Sequence, residues 1–180
     1  CFARGTFIRT ACGDRLIEDL RAGDQVATFD HGLQPIEWIS HRIVKRADLE
    51  RNSGLLPVVF KPGTCGNSRT LIVSQQHAIH TQGLGTIASA FPDHLLRAKH
   101  APDMIGGKAR IACGCRRIEY FHLLLPKHEL IWANGALAES LRLAPQSLAM
   151  LTPQALASIR SVRKDMPRHL TRESADRYMP

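Results

Sequence analysis

Long apolar runs, aromatic side chains and acidic groups are all scarce in this 180-residue chain, and its cysteines are odd in number. No uncharged apolar stretch approaches the ~18 residues that would mark a membrane-spanning helix. Six Phe, two Tyr and two Trp are too few for a ladder of aromatics stacked on a single nucleic-acid strand. Thirteen Gly and ten Pro, unevenly spread, exclude collagen-like and low-complexity sequence. Sixteen Asp and Glu stand against twenty-four Lys and Arg, a net charge of +8. That balance fits attraction to polyanions and a merely soluble basic surface equally well. The cysteines are Cys1, Cys12, Cys65, Cys113 and Cys115. Five of them do not make a disulfide framework, and at least one thiol is expected to be free. There is no initiator Met and no signal-peptide pattern. Position 1 is therefore expected to be a processed or engineered junction.

What is present is punctuation. Cys12-Gly13-Asp14, Ala22-Gly23-Asp24 and Asp30-His31-Gly32 are turn candidates, with short β-rich segments between them. A turn about every ten residues argues for an all-β domain over βαβ units with long crossover helices. Leu16, Ile17 and Leu20 are the expected apolar anchors after the first turn. Strands are expected at Gln25–Phe29, Leu33–Ile39, Leu55–Phe60, Arg69–Val73, Ile118–Leu125 and Glu129–Ala133. Asn134-Gly135 is a strong hairpin signal. Residues 40–52 are polar with apolar insertions and carry no clear period, and residues 91–100 fit a short helix or 3₁₀ turn. Thr152 caps a run beginning with Pro153, and Leu156, Ile159 and Val162 recur at three-residue spacing, which predicts one amphipathic helix. A basic tail with little apolar content follows from Lys164.

Three stretches, taken in order, resemble the Hint superfamily of hedgehog autoprocessing domains, inteins and bacterial Hint domains, the last most closely. They are Cys1 with Gly13 and Leu16-Ile17-Glu18-Asp19-Leu20-Arg21-Ala22-Gly23-Asp24-Gln25-Val26; Val73-Ser74-Gln75-Gln76-His77; and Tyr120 to Leu125 followed by His128 and Ala133-Asn134-Gly135. The resemblance implies an all-β, pseudo-symmetric horseshoe of strands over residues 1–145. Residues 146–180 would form a helical and basic extension. It also implies autocatalytic processing by an N–S acyl shift at Cys1, with Cys1, Ser74 and His77 in a central cleft and no metal or cofactor. The partner would be the upstream polypeptide of its own precursor, in a parent protein that is secreted or at the cell surface.

The residue chemistry agrees with that expectation and leaves some roles open. Cys1 is either a junction residue or a nucleophile, since a thiolate is a strong nucleophile even when only a small fraction is ionised. His77 is either a buried polar residue or the group that protonates the leaving amide nitrogen, with the Ser74 hydroxyl beside it across a turn. Ser replaces the Thr usual in the family and keeps the hydroxyl. His80 is expected at the surface. His122 stands where inteins often have an acid, and is either a core-edge or a catalytic histidine. His128 matches a family histidine that contributes to the second half of the reaction. Splicing inteins end in His-Asn, and the corresponding residues here are Glu139 and Ser140, neither of which cyclises as Asn does. Full splicing is thus not expected, and the thioester would pass to water, a thiol or an amine. The segment 148–162 gives no reason to assign a sterol site.

Two rival classes compete with autoprocessing. One is a basic interaction module using Arg97, Lys99, Lys108, Arg110, Arg116 and Arg117 on phosphate. The other is a cysteine hydrolase acting on other chains. Cys113-Gly114-Cys115 lacks the two-residue spacer of most zinc sites and reads better as a surface turn. Cys12 reads as a packing residue.

Overall fold

In the computed structural model, residues 1–82, 84, 94–144, 147, 148 and 151–164 are described. The chain divides into two compact units, Cys1–Ser140 and Leu141–Pro180. The first unit is built almost wholly of antiparallel strands. They are β1 (Phe2–Ala3), β2 (Phe7–Thr10), β3 (Gly13–Leu16), β4 (Gln25–Thr28), β5 (Gly32–Pro35), β6 (Trp38–Lys45), β7 (Pro57–Phe60), β8 (Leu71–Ser74), β9 (Ala78–His80), β10 (Leu95–Arg97), β11 (Ala109–Ile111), β12 (Arg117–Leu124), β13 (Leu130–Ala133) and β14 (Ala136–Glu139). Among the described residues two short α-helices, α1 (Arg46–Arg51) and α2 (Ala101–Ile105), and several 3₁₀ turns interrupt them. The all-β expectation holds.

The strands form two sheets. One runs in the order β11-β7-β8-β1-β12-β6, and the other runs β10-β9-β14-β13-β2-β4-β5 with β3 paired to β2. Turn residues behave as their chemistry requires. Asn134 and Gly135 both take positive φ, 50° and 92°, the backbone of a tight hairpin between β13 and β14. A Cβ on Gly135 would lie 3.1 Å from the Gly66 carbonyl oxygen and 3.3 Å from the Ser68 nitrogen, so the site excludes a side chain as well as favouring glycine. Asn134 is itself a knot: its Oδ1 accepts from the Phe7 N–H and its Nδ2 donates to the Thr70 carbonyl.

A continuous apolar core draws on strands of both sheets and includes Phe2, Ile8, Ile17, Leu20, Phe60, Val73, Phe121 and Ile131. The two-residue strand β1 is held there by Phe2, which is 2% exposed and whose burial is worth ~1.5–3 kcal/mol. Pairing with β8 on one side and β12 on the other threads it through the middle of its sheet.

Long-range pairing explains where the local reading fell short. The strand expected over Leu33–Ile39 breaks after Pro35, where Ile36 turns into the core and bonds the Gly23-Asp24 turn. The chain re-enters a sheet as β6 and runs on through residues 40–45, because all eight residues pair with β12; α1 follows directly. Cys12 is exposed, against the packing role expected of it. It sits in the tight β2–β3 turn, where the Thr10 hydroxyl accepts from its N–H. Cys113 is exposed, and Cys115 is half-buried with its thiol directed at the Arg117 carbonyl.

In the second unit, α3 (Pro153–Val162) begins as the sequence predicts. The Thr152 hydroxyl accepts from the Ala155 N–H, with Pro153 in the first turn. Residues 91–93 and 165–180, which carry part of the expected short helix and nearly all of the basic tail, lie outside the described residues.

Candidate active site

Register brings three of the site residues together. Phe2 pairs with Val73 on β8 and with Phe121 on β12. Extending both antiparallel registers by one residue puts Cys1 beside Ser74 and beside His122. The Ser74 N–H donates to the Cys1 carbonyl at 3.0 Å, as that extension requires. Outward from there, Ser74 pairs with Pro57 and His122 with Ser40. Directly opposed residues share a face, so Pro57, Ser74, Cys1, His122 and Ser40 form one row across the sheet.

His77 joins this row through a turn. Gln75 and Gln76 reverse the chain after β8, and the His77 N–H donates to the Ser74 carbonyl at 3.1 Å. The imidazole folds back over Cys1, where the edge-to-face contact of its ring with Phe2 has a centroid separation of 4.4 Å. Four of the five residues singled out from sequence thus meet. The Cys1 α-nitrogen lies 2.8 Å from His77 Nδ1 and donates to Ser74 Oγ at 3.2 Å. The Cys1 thiol lies 3.3 Å from His122 Nε2 and 3.4 Å from its Nδ1.

The Cys1 α-nitrogen would be an amide nitrogen wherever a residue precedes Cys1. Each histidine thus faces one atom of Cys1, His77 the nitrogen and His122 the sulfur. Both are buried, at 4% and 5% exposure, and burial sets their charge. Desolvation, then the neighbouring α-ammonium, holds His77 well below the usual imidazole range. The same two causes in the same order bring His122 down to about 3. The α-amine is lowered to about 5, chiefly by desolvation and against the attraction of Glu139. At neutral pH the site is uncharged around Cys1: each imidazole keeps a free lone pair, is a weak base, and would be a strong acid once protonated.

His128, the fifth, lies apart from Cys1. Its Nε2 is 3.2 Å from Glu139 Oε2. Glu139 was considered from sequence only as a residue that is not Asn, yet it organises a second cluster. Its Oε1 accepts from the Ala78 N–H at 2.9 Å and lies 3.6 Å from the Arg97 guanidinium. Burial alone would raise its carboxyl, but the bonds from His128 and Ala78 and the charges of Arg97 and His128 hold it below its ordinary value. A carboxylate ending the otherwise buried run Ala136-Leu137-Ala138 was the available signal. Arg97, which only the rival basic-module reading would place in a phosphate-binding patch, donates to the Gln76 carbonyl at 2.6 Å in the same cluster. His80 packs its ring near Phe29 and His94 instead of joining the site. Ser140 is engaged structurally, its hydroxyl accepting from the Glu129 N–H. Among the described residues, no group of three or more His, Cys, Asp or Glu is placed to hold a metal ion.

Residues 1–145 match the Hint domain family, and the chain belongs to that family. Among solved structures it is similar to the MchDnaB-1 intein, at 10% identity over 78% of this chain and 99% of that one, with a TM-score of 0.50. It is also similar to the gp41-1 intein (14% identity, 76% and 95% covered, TM-score 0.49) and to the bacterial intein-like domain from Clostridium thermocellum (15%, 77% and 96%, TM-score 0.45). At such identities the likeness concerns fold, and the family match with the MchDnaB-1 intein carries it. No curated protein matches the chain. The Hint fold supports a self-processing or splicing-type function in general terms.

Proposed function

We propose that this domain cleaves its own precursor by an N–S acyl shift at Cys1. The observation that carries the reading is the division of Cys1 between two buried histidines, His77 at its nitrogen and His122 at its sulfur. In the precursor, His122 takes the thiol proton and the thiolate attacks the carbonyl carbon of the residue before Cys1. The new C–S bond forms as the C–N bond breaks, and the α-nitrogen leaves with a proton delivered by protonated His77. Net, one proton moves from sulfur to nitrogen. The Ser74 hydroxyl accepts from the departing amine. In the precursor the nitrogen is an amide that cannot take up a charge, so the second of the causes that hold His77 low falls away while burial, the first, remains. The thioester is then released by water or an external thiol or amine. Glu139 and Ser140 supply no Asn to cyclise, so the second cut of splicing does not follow.

The test is a precursor with several added residues before Cys1, incubated with and without a small thiol and weighed. Release of the upstream piece that disappears in Cys1→Ala supports the reading. An intact wild-type precursor under both conditions overturns it.

A further inference from the structure

An imidazole that must meet a reacting atom in one orientation is ordinarily steered by a hydrogen bond at its other ring nitrogen. His77 has no such bond: with Nδ1 at the Cys1 nitrogen, its Nε2 is buried and without a hydrogen-bond partner. Something else has to hold the ring. The Phe2 contact limits it on one side, and the hydrogen bonds of the backbone that carries it limit it further.

The backbone around His77 is pinned at four successive points. The Gln76 carbonyl accepts from the Arg97 guanidinium, and the His77 N–H donates to the Ser74 carbonyl. The His77 carbonyl accepts from the Ala98 N–H at 2.8 Å. The Ala78 N–H, the other end of that same peptide unit, donates to Glu139 Oε1. Two of these bonds are backbone to backbone, one within the turn and one from the segment leaving β10. The other two are side chains from other strands, Arg97 of β10 and Glu139 of β14, and the second oxygen of Glu139 is itself held by His128.

We propose that Glu139 is a positioning residue for His77. Its carboxylate fixes the His77–Ala78 peptide, and so aims Nδ1 at the Cys1 nitrogen without touching the reacting atoms. On this account His128 acts one step further back, by holding the carboxylate. The inference rests on the autoprocessing reading for its kinetic consequence, but the clamp itself is a property of the folded domain.

The experiment compares the extended precursor as wild type, Glu139→Ala and Glu139→Gln. It reads the rate of upstream release, the alkylation rate of the Cys1 thiol in the chain beginning at Cys1, and the His77 ring resonances by NMR. Glu139→Ala is expected to slow release roughly tenfold to a hundredfold, the scale of a small misplacement of a reacting group, and to shift the His77 resonances. Glu139→Gln keeps a carbonyl for the Ala78 N–H, and is expected to restore both readouts to near wild type. Thiol alkylation is expected to stay unchanged in all three, because His122 is held by a different strand. If Glu139→Ala does not fold, Glu139→Asp, which draws the carboxylate back by one methylene, takes its place and is expected to be slower than Glu139→Gln. Wild-type release and wild-type His77 resonances in the Ala or Asp variant would overturn the proposal, as would a Gln variant as impaired as Ala. A wild-type precursor that releases nothing defeats the autoprocessing reading alone, and the His77 resonances of the variants then decide the clamp.

Discussion

The two histidines at Cys1 are held in opposite ways. His122 lies within an eight-residue strand, and its ring is delivered to the thiol by sheet register on both sides. His77 lies just beyond the end of β8, on a turn, and reaches the α-nitrogen through a set of individual backbone bonds. The contrast teaches that the sulfur side of the site is as rigid as the sheet, whereas the nitrogen side is only as well aimed as its clamps. Functional groups on turns depend on the scaffold that positions them, and here Phe2, Arg97, Ala98 and Glu139 are that scaffold.

Removing each side separately is the sharpest way to break this comparison. His77→Ala is expected to lower the rate of upstream release by about 10²–10⁴-fold, the usual worth of a positioned proton donor. Alkylation of the Cys1 thiol should be left as it was. His122→Ala is expected to lower release toward the smaller end, about 10²-fold, and to slow alkylation by iodoacetamide as well. If both variants alter alkylation equally, the division of labour between nitrogen and sulfur is wrong. Ser74→Ala removes one uncharged hydrogen bond and is expected to cost about tenfold or less in release. A loss as large as that of His77→Ala would give the hydroxyl a direct part in proton transfer.

A fourth expectation concerns stability and moves the chemistry least. Both histidines are held below their unfolded value, His122 to about 3. Below pH ~6.5, the ordinary imidazole value, the unfolded chain binds protons that the folded chain resists. The stability these neutral histidines contribute is therefore present above that pH and is lost as pH falls toward about 3. Denaturant midpoints taken from pH 7 to pH 4 should fall, and should fall less in His122→Gln. A midpoint that is flat with pH, or equally steep in the variant, would mean that His122 is not buried neutral beside the thiol.

How much of this was legible beforehand follows the same division. Ser74 and His77 lie three residues apart, so a local motif could pair them. The hairpin at Asn134-Gly135 and the helix capped by Thr152 are local in the same sense. His122 could be noticed but not assigned, because its role depends on Phe2 meeting Phe121, far along the chain. Residues 40–45 looked irregular for the same reason: only β12 makes them a strand. Glu139 carries no local signal beyond not being Asn and ending the run Ala136-Leu137-Ala138. Its function appears only when β14 is laid beside β9 and the carboxylate meets the Ala78 N–H. Arg97 carried a charge that suggested a phosphate patch, and only the fold turns it toward Gln76 and Glu139.

The central claim is that the Cys1 sulfur attacks the carbonyl immediately before it, and the mass of the released upstream fragment in the presence of a small thiol tests that most directly. The account predicts a fragment ending at the residue before Cys1 and carrying the added thiol as a thioester, and its absence in Cys1→Ala. A fragment cut at another bond, or one released equally well from Cys1→Ala, would contradict it.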